Sequence, residues 1–312
     1  MFIGITFISF LIIHLAPGGP VDARSALNPK MTLQAREKLR ELYGLNKPLV
    51  TQYIEWCSRL ARLDFGNSFT DGAAVTEKIA ATIPVTLGIN LLSLCFIFAA
   101  GIPLGIFGAV HKDTAGDKTL SVLSFAAFSV PTFWLALLLV SFFGVTLGWL
   151  PVMGLHSLFY EEMPFSERWL DLAKHLVLPL FVSSVTGLAG ISRYMRSSMA
   201  QALREPYIRT ARAKGLPEKT VIYRHALKNA LLPVITILGL SVPGLLGGSV
   251  IFETIFSIPG MGRLFYNSVF SRDYPVIMGI LVLGAVLTLL GNALADLGYA
   301  IADPRIRSGL GE

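Results

Sequence analysis

The chain has 312 residues, 53 % of them apolar and 15 % charged, with a mean hydropathy of +0.63 and a formal charge of +6. That composition excludes an ordinary soluble domain, in which charged residues make up about 25 %, and long uncharged runs exclude a chain that stays wholly in water. The expected class is an all-α polytopic membrane protein with six spans, at 1–16, 84–110, 119–148, 174–196, 229–252 and 275–301.

The first run ends at the turn Ala16-Pro17-Gly18-Gly19. A secretory signal peptide needs a charged leader and a small-residue cleavage site, so residues 1–16 read as a transmembrane helix, with further residues expected upstream of Met1. His14 stands near its end.

Residues 17–83 form a long connection with nine basic and seven acidic residues. Two helices are predicted in it. The first spans Leu33 to Tyr43, with Thr32 as N-cap, Gly44 as C-cap, and Ala35, Leu39, Leu42 and Tyr43 on one face. The second starts near Pro48 and carries Tyr53, Trp56 and Leu60 toward Asp64-Phe-Gly66. The segment reads either as an extracytoplasmic cap or as a surface that receives a soluble partner.

In the second span, Gly101-Ile-Pro-Leu-Gly105 is a small-residue pattern that lets helices approach closely, as is Gly244-Leu-Leu-Gly-Gly248 further on. Prolines 103, 131, 179, 233 and 243 can kink spans. Gly116-Asp-Lys-Thr119 lacks the features of a phosphate loop and reads as a turn.

The region from Arg193 to Lys228 carries nine Lys/Arg against two acids, more charge than topology alone demands. Pro206 and Pro217 suit first helical positions and Gly215 suits the residue past a helix end, which predicts two helices with a tight break. In the first, Tyr207, Ile208, Ala211 and Gly215 share an arc of roughly 100° at helical spacing, while Arg209 and Arg212 point elsewhere. An apolar knob facing away from most of the charge is expected, with an interfacial helix on anionic headgroups as the alternative. The basic loop places this region and both termini in the cytoplasm, and the 17–83 segment outside.

Beyond the fifth span, Glu253 is an ionisable residue for which a hydrogen-bonded structural role is favoured over a functional one. Ser257-Ile-Pro-Gly-Met-Gly262 leads into Leu264, Phe265 and Val269, which read as a short amphipathic helix near the pore mouth or as a plain connector. Asp296 lies near the inner end of the last span. Midplane carboxylates of the kind a proton-coupled carrier uses are missing.

No metal-ligand spacing joins His14, His111, His156, His175 and His225, and neither HExxH nor GxSxG occurs. No catalytic residue, cofactor, metal or nucleic-acid partner is expected. Cys57 in the exterior loop and Cys95 in mid-membrane are expected to be unpaired.

Tyr207-Ile-Arg-Thr-Ala-Arg-Ala-Lys-Gly215, followed by Arg224-His-Ala-Leu-Lys-Asn-Ala-Leu-Leu-Pro233, resembles the conserved cytoplasmic loop of ABC-importer permeases of the dipeptide/oligopeptide/nickel branch. Leu15-Ala-Pro-Gly-Gly-Pro20, Asp64-Phe-Gly66, Glu253-Thr-Ile-Phe-Ser-Ile-Pro-Gly-Met-Gly262, Arg272-Asp-Tyr-Pro275 and Asp303-Pro-Arg-Ile-Arg307 extend the match along nearly the whole chain. Arg209 stands where the general importer loop has Glu, as is usual in this branch. The resemblance implies a type I importer permease fold: a first transmembrane helix (1–16), an extracytoplasmic loop (17–83) and a core domain (84–312) with a coupling loop at 197–228. It implies the pore subunit of the first-listed kind, paired with a second permease, two ATP-binding subunits and an extracytoplasmic substrate-binding protein in the bacterial inner membrane, and no enzymatic activity of its own. ATPase coupling would fall to Tyr207, Ile208, Ala211 and Gly215 as the knob and to Arg209, Arg212 and Lys214 at its rim. Peptide is the implied cargo, with nickel or another small solute as alternatives; a stand-alone carrier or membrane enzyme is the rival from another class.

Overall fold

A computed structural model describes residues 2–28, 30–241, 244, 245 and 247–302; Pro243, the tail 303–307 and the side chain of Asp296 lie outside that description. In chain order the α-helices are α1 (Phe2–Leu15), α2 (Pro20–Leu27), α3 (Leu33–Leu42), α4 (Leu49–Leu60), α5 (Val75–Val110), α6 (Ala115–Ser129), α7 (Thr132–Leu139), α8 (Phe165–Ala202), α9 (Pro206–Ala213), α10 (Glu218–Thr220), α11 (Leu227–Ala230), α12 (Leu232–Ser241), α13 (Val250–Ile255), α14 (Met261–Phe270) and α15 (Tyr274–Ala302). π-Helical turns at Val140–Thr146 and Val221–Ala226 prolong α7 and α10.

Four helices are long and apolar enough to cross a membrane, and six spans result if each of two bent pairs counts as one. The third span, expected over 119–148 with Pro131 able to kink it, is sharply broken there: α6 and the helix after it meet at 100°. The cause is Pro131, whose ring forces Val130 into an extended conformation (φ −90°, ψ 120°) and removes a backbone donor. A gentler bend of 48° divides Glu218–Ala230 from Leu232–Ser241, beside Pro233. The fourth helix was expected over 174–196 but extends from Phe165 to Ala202. Charged side chains had marked its ends, yet charge on one face does not stop a helix.

The chain divides into two compact units. The first comprises residues 1–86, 246–253 and 259–289. Here the predicted helices of the long connection form as expected: Thr32 accepts from the Ala35 N–H and caps α3, and Gly44 takes a φ of +68° after it. The apolar face expected on α3 is covered only in part: Leu39 and Tyr43 are half-buried, with the Tyr43 ring stacked on Phe69 at 4.0 Å, whereas Ala35 and Leu42 are exposed. By contrast, α4 buries Trp56 with Phe10 of α1 and Met278 and Val282 of α15.

Motifs far apart in sequence meet within this unit. Arg272 donates to the Pro17 carbonyl at 2.8 Å, which ties the Leu15–Pro20 turn to the entry of α15. Asp273, 1 % exposed, accepts from Ser68 Oγ at 2.5 Å and from the Phe69 N–H at 2.9 Å. Lys78 reaches Ser68 at 3.2 Å and Asp71 at 2.6 Å, and its ammonium holds the Asp71 carboxyl down at about 2 against an ordinary 3.8. A depressed carboxyl stabilises the fold above the unfolded-state value and loses that contribution as pH falls through the folded-state value. The difference in thermal stability between the parent protein and Asp71→Asn is therefore expected to be constant from pH 8 to about 4 and to shrink below that; a difference that grows on acidification would contradict the pairing.

Glu253 is buried, and its carboxylate accepts from the Arg263 N–H at 2.7 Å and from Thr86 Oγ1 at 3.3 Å. It thus serves as a remote anionic cap for the first turn of α14, whose free N–H groups and dipole favour negative charge. The buried side of α14 is Met261, Gly262 and Ser268. Val269, expected on the apolar face, is 38 % exposed.

Within the described residues, the second unit comprises 87–241, 244, 245, 254–258 and 290–302. Its α5 and α8 pack through small residues. A Cβ on Gly105 would stand 2.5 Å from Met195 Cβ, and one on Gly101 would stand 2.9 Å from Ile191 Cγ2, so the pattern read in the sequence marks a close helix crossing. Ser93 and Ser183 share a 2.5 Å hydrogen bond across the same crossing, satisfying two hydroxyls where lipid offers no partner.

Candidate functional site

The basic segment continues directly from α8. Four residues after Ala202, Pro206 opens α9 at its first position, where a missing N–H costs nothing. Arg212 is in the last turn of α9, and Gly215 follows the C-cap Lys214 with a φ of +74°, the left-handed conformation that terminates a helix without Cβ strain. Pro217 occupies the N-cap of α10, one position earlier than expected.

The apolar arc of α9 points the opposite way from a knob. Ile208 and Ala211 are buried in a cluster with Met195, Met199, Ala202, Val221 and Ala226. Tyr207 is half-buried, and its hydroxyl accepts from Asn229 Nδ2 at 2.9 Å. Of the four residues expected to project outward, only Gly215 does so. The pattern identified the apolar face correctly, but a helix of eight residues cannot tell whether that face covers its own chain or a partner's.

Arg209, Arg212, Lys214 and Gly215 are exposed. Arg212 is engaged by Glu218 through contacts of 3.1 and 2.6 Å. Both side chains are about half exposed, so the pair closes the turn locally and adds little stability. Nothing lies within 4 Å of where a Gly215 Cβ would stand. The segment therefore presents an open, basic outer surface and packs by its inner surface against the end of α8.

One partnership was missed in the sequence. Arg196 grips Asp117 in a bidentate pair, Nε to Oδ1 at 2.6 Å and Nη2 to Oδ2 at 2.7 Å. The Asp117 carboxylate also accepts from the Asp113 N–H at 3.0 Å, and Thr114 caps α6 by accepting from the Asp117 N–H. Thr114-Ala-Gly-Asp117 has the spacing of a helix-capping pair, the available signal, but nothing local names Arg196 as the counter-ion. Arg193 lies over the Phe128 ring at 5.9 Å, so two of the nine cations counted in the loop are held on α8 itself.

Comparison with known proteins decides what this architecture belongs to. Residues 101–308 match the family model described as "Binding-protein-dependent transport system inner membrane component". The chain belongs to this family. The permease is 44 % identical to the oligopeptide transport system permease protein AppB of Bacillus subtilis over 97 % of its length and 94 % of the relative's. It is 38 % identical to the di/tripeptide transport system permease protein DppB of Pseudomonas aeruginosa, over 98 % of its own length and 95 % of that protein's. Among solved structures, the inward-facing MetNI methionine ABC transporter shares the fold, with a TM-score of 0.55 at 19 % identity, covering 73 % of this chain and 97 % of that one. Members of the family are membrane permease subunits of ABC importers and not enzymes, which excludes the rival reading as a stand-alone carrier or enzyme.

Proposed function

We propose that the permease forms one half of the pore of an ATP-driven importer of di- or oligopeptides. It works with a second permease, two ATP-binding subunits and an extracytoplasmic binding protein, in the bacterial inner membrane with both termini cytoplasmic. The oligopeptide and di/tripeptide transport permeases among its relatives support the cargo. The observation that carries the coupling role is the burial of Ile208 and Ala211 against the end of α8 while Arg209, Lys214 and Gly215 stay exposed. Force applied to that exposed surface by an ATPase subunit moves α8 as one body, because packed interiors transmit displacement rather than absorb it. Alternating access follows: nucleotide-driven approach of the ATPases shifts α9, and the spans rock with it.

Gly215→Val and the double charge reversal Arg209→Glu/Lys214→Glu test this on the whole complex in proteoliposomes. Valine at a positive φ costs roughly 1–2 kcal/mol locally and its Cβ meets no neighbour within 4 Å, so the subunit is expected to insert and fold. Uptake of a labelled dipeptide should fall at least tenfold, with the ATPase subunits lost on purification or hydrolysing ATP without transport. Full uptake and intact co-purification in both variants would leave the segment a lipid-resting element and reject the coupling role. Uptake of nickel but not peptide by the parent complex would replace the cargo alone.

A further inference from the structure

We propose that α4 (Leu49–Leu60) is embedded in the membrane beside α1, with its Val50 and Ile54 flank against lipid acyl chains, rather than forming part of a cap in water. The inference comes from what α4 touches. Tyr53 Oη makes hydrogen bonds with Thr6 Oγ1 at 3.0 Å and with the Ile3 carbonyl at 3.4 Å, and the Tyr53 ring packs edge-on against Phe7 and Phe10, each at 5.3 Å. These contacts extend over two turns of α1, down to Ile3, its second residue. Ile3 lies eleven residues from His14, roughly 16 Å along the axis at ~1.5 Å per residue.

Apart from Thr6, Ser9 and His14, α1 is built of apolar residues and glycine with no formally charged side chain, and a hydrocarbon layer of about 30 Å covers all of it. A helix that meets α1 at positions 3, 6, 7 and 10 is therefore at hydrocarbon depth. Trp56 says the same of a second span, since it is buried with Met278 and Val282, four and eight residues into α15. The Tyr53 hydroxyl is hydrogen-bonded within the chain, as a polar group at that depth must be.

The two sides of α4 fit two media. Its polar side, with Gln52, Glu55 and Arg59, lines a cavity of about 680 Å³, which supplies the hydrated surroundings that charged groups require at membrane depth. Glu55 is further neutralised by Lys47 at 2.7 Å. On the opposite flank, Val50 and Ile54 are 68 % and 61 % exposed and stand one turn apart beside Tyr53. They continue the apolar surface that α1 presents through Ile3 and Phe7, also exposed. A flank continuous with a span's lipid-facing surface, at the same depth and without charge, takes acyl chains as its partner. This removes α4 and its Cys57 from the water-exposed segment expected over 17–83.

The test is spin-label accessibility in the full chain, co-purified with its partners and reconstituted in phosphatidylethanolamine/phosphatidylglycerol liposomes. Single nitroxides are placed through Ile54→Cys, Ile8→Cys on α1 and Lys38→Cys on α3, in a Cys57→Ala/Cys95→Ala background. Oxygen collisions are expected to exceed those of a nickel chelate at Ile54 by the ratio seen at Ile8, severalfold, with the order reversed at Lys38. Nickel accessibility at Ile54 equal to that at Lys38 would put the helix in water, and protection from both reagents would put another protein over it; either overturns the proposal. A measurement that keeps the native cysteines is photo-crosslinking from Val50→p-benzoylphenylalanine. Phospholipid adducts are expected, and adducts with protein alone would contradict lipid contact.

Discussion

Replacing Arg196 with methionine is expected to destabilise the permease by about 3–5 kcal/mol, the cost of leaving a buried charge without its partner. Asp117 is 2 % exposed, and both of its oxygens are committed to Arg196 at 2.6 and 2.7 Å. Methionine keeps most of the stem volume, so the loss reports charge rather than packing. The pair is not symmetric. Arg196 retains 36 % side-chain exposure, so Asp117→Asn frees a cation that can still reach solvent, and a smaller loss is expected. The double variant Asp117→Asn/Arg196→Met should recover part of the single Arg196→Met loss, because a neutral pair carries no stranded charge. Thermal unfolding of the purified complex measures all three. Loss of less than about 0.5 kcal/mol in Arg196→Met would mean that water reaches Asp117 and that the pair is a surface feature. Because this link joins the first turn of α6 to α8 ten residues before Pro206, the same variant is expected to uncouple nucleotide hydrolysis from transport where it still assembles, if the proposed coupling role of α9 holds.

Gly262→Ala is expected to cost roughly 1–3 kcal/mol or more through overpacking. Its Cβ would stand 2.7 Å from the Val250 nitrogen, 2.8 Å from the Ser249 carbonyl carbon and 2.9 Å from that of Gly248. All three are backbone atoms, so no rotamer change relieves the contact. A Cβ on Gly248 would collide still more severely with the Gly262 nitrogen, and one on Gly260 would collide with the Glu253 carboxylate. These glycines are small because two backbone segments cross there and Glu253 must reach the first turn of α14. A bulky residue at 262, which would block a pore mouth if the position were open, is instead expected to prevent folding. Gly284→Ala is the control: nothing lies within 4 Å of its Cβ, and alanine favours the helix. Equal stability of the two alanine variants, compared by thermal unfolding of the purified complex, would show that the crossing of 248–250 over 262 is loose.

The helical, membrane-spanning character of the chain was legible along its length because lipid imposes one rule that local sequence can satisfy: backbone groups bond within a helix and side chains are apolar. Thr32, Gly44, Pro206 and Gly215 were equally legible, since caps and terminators act within a turn of themselves. Partner identity was not. Asp117 finds Arg196 79 residues away, and Ser68 finds Asp273 205 residues away; a charge or hydroxyl in a sequence shows that a partner is needed without showing which. The direction of an apolar face was hidden for a related reason. Hydrophobic burial is non-directional, so an arc at helical spacing predicts cover but not its source. On α9 the cover is the chain's own core, on α4 it is divided between two spans and a flank left exposed, and only packing in three dimensions distinguishes these cases.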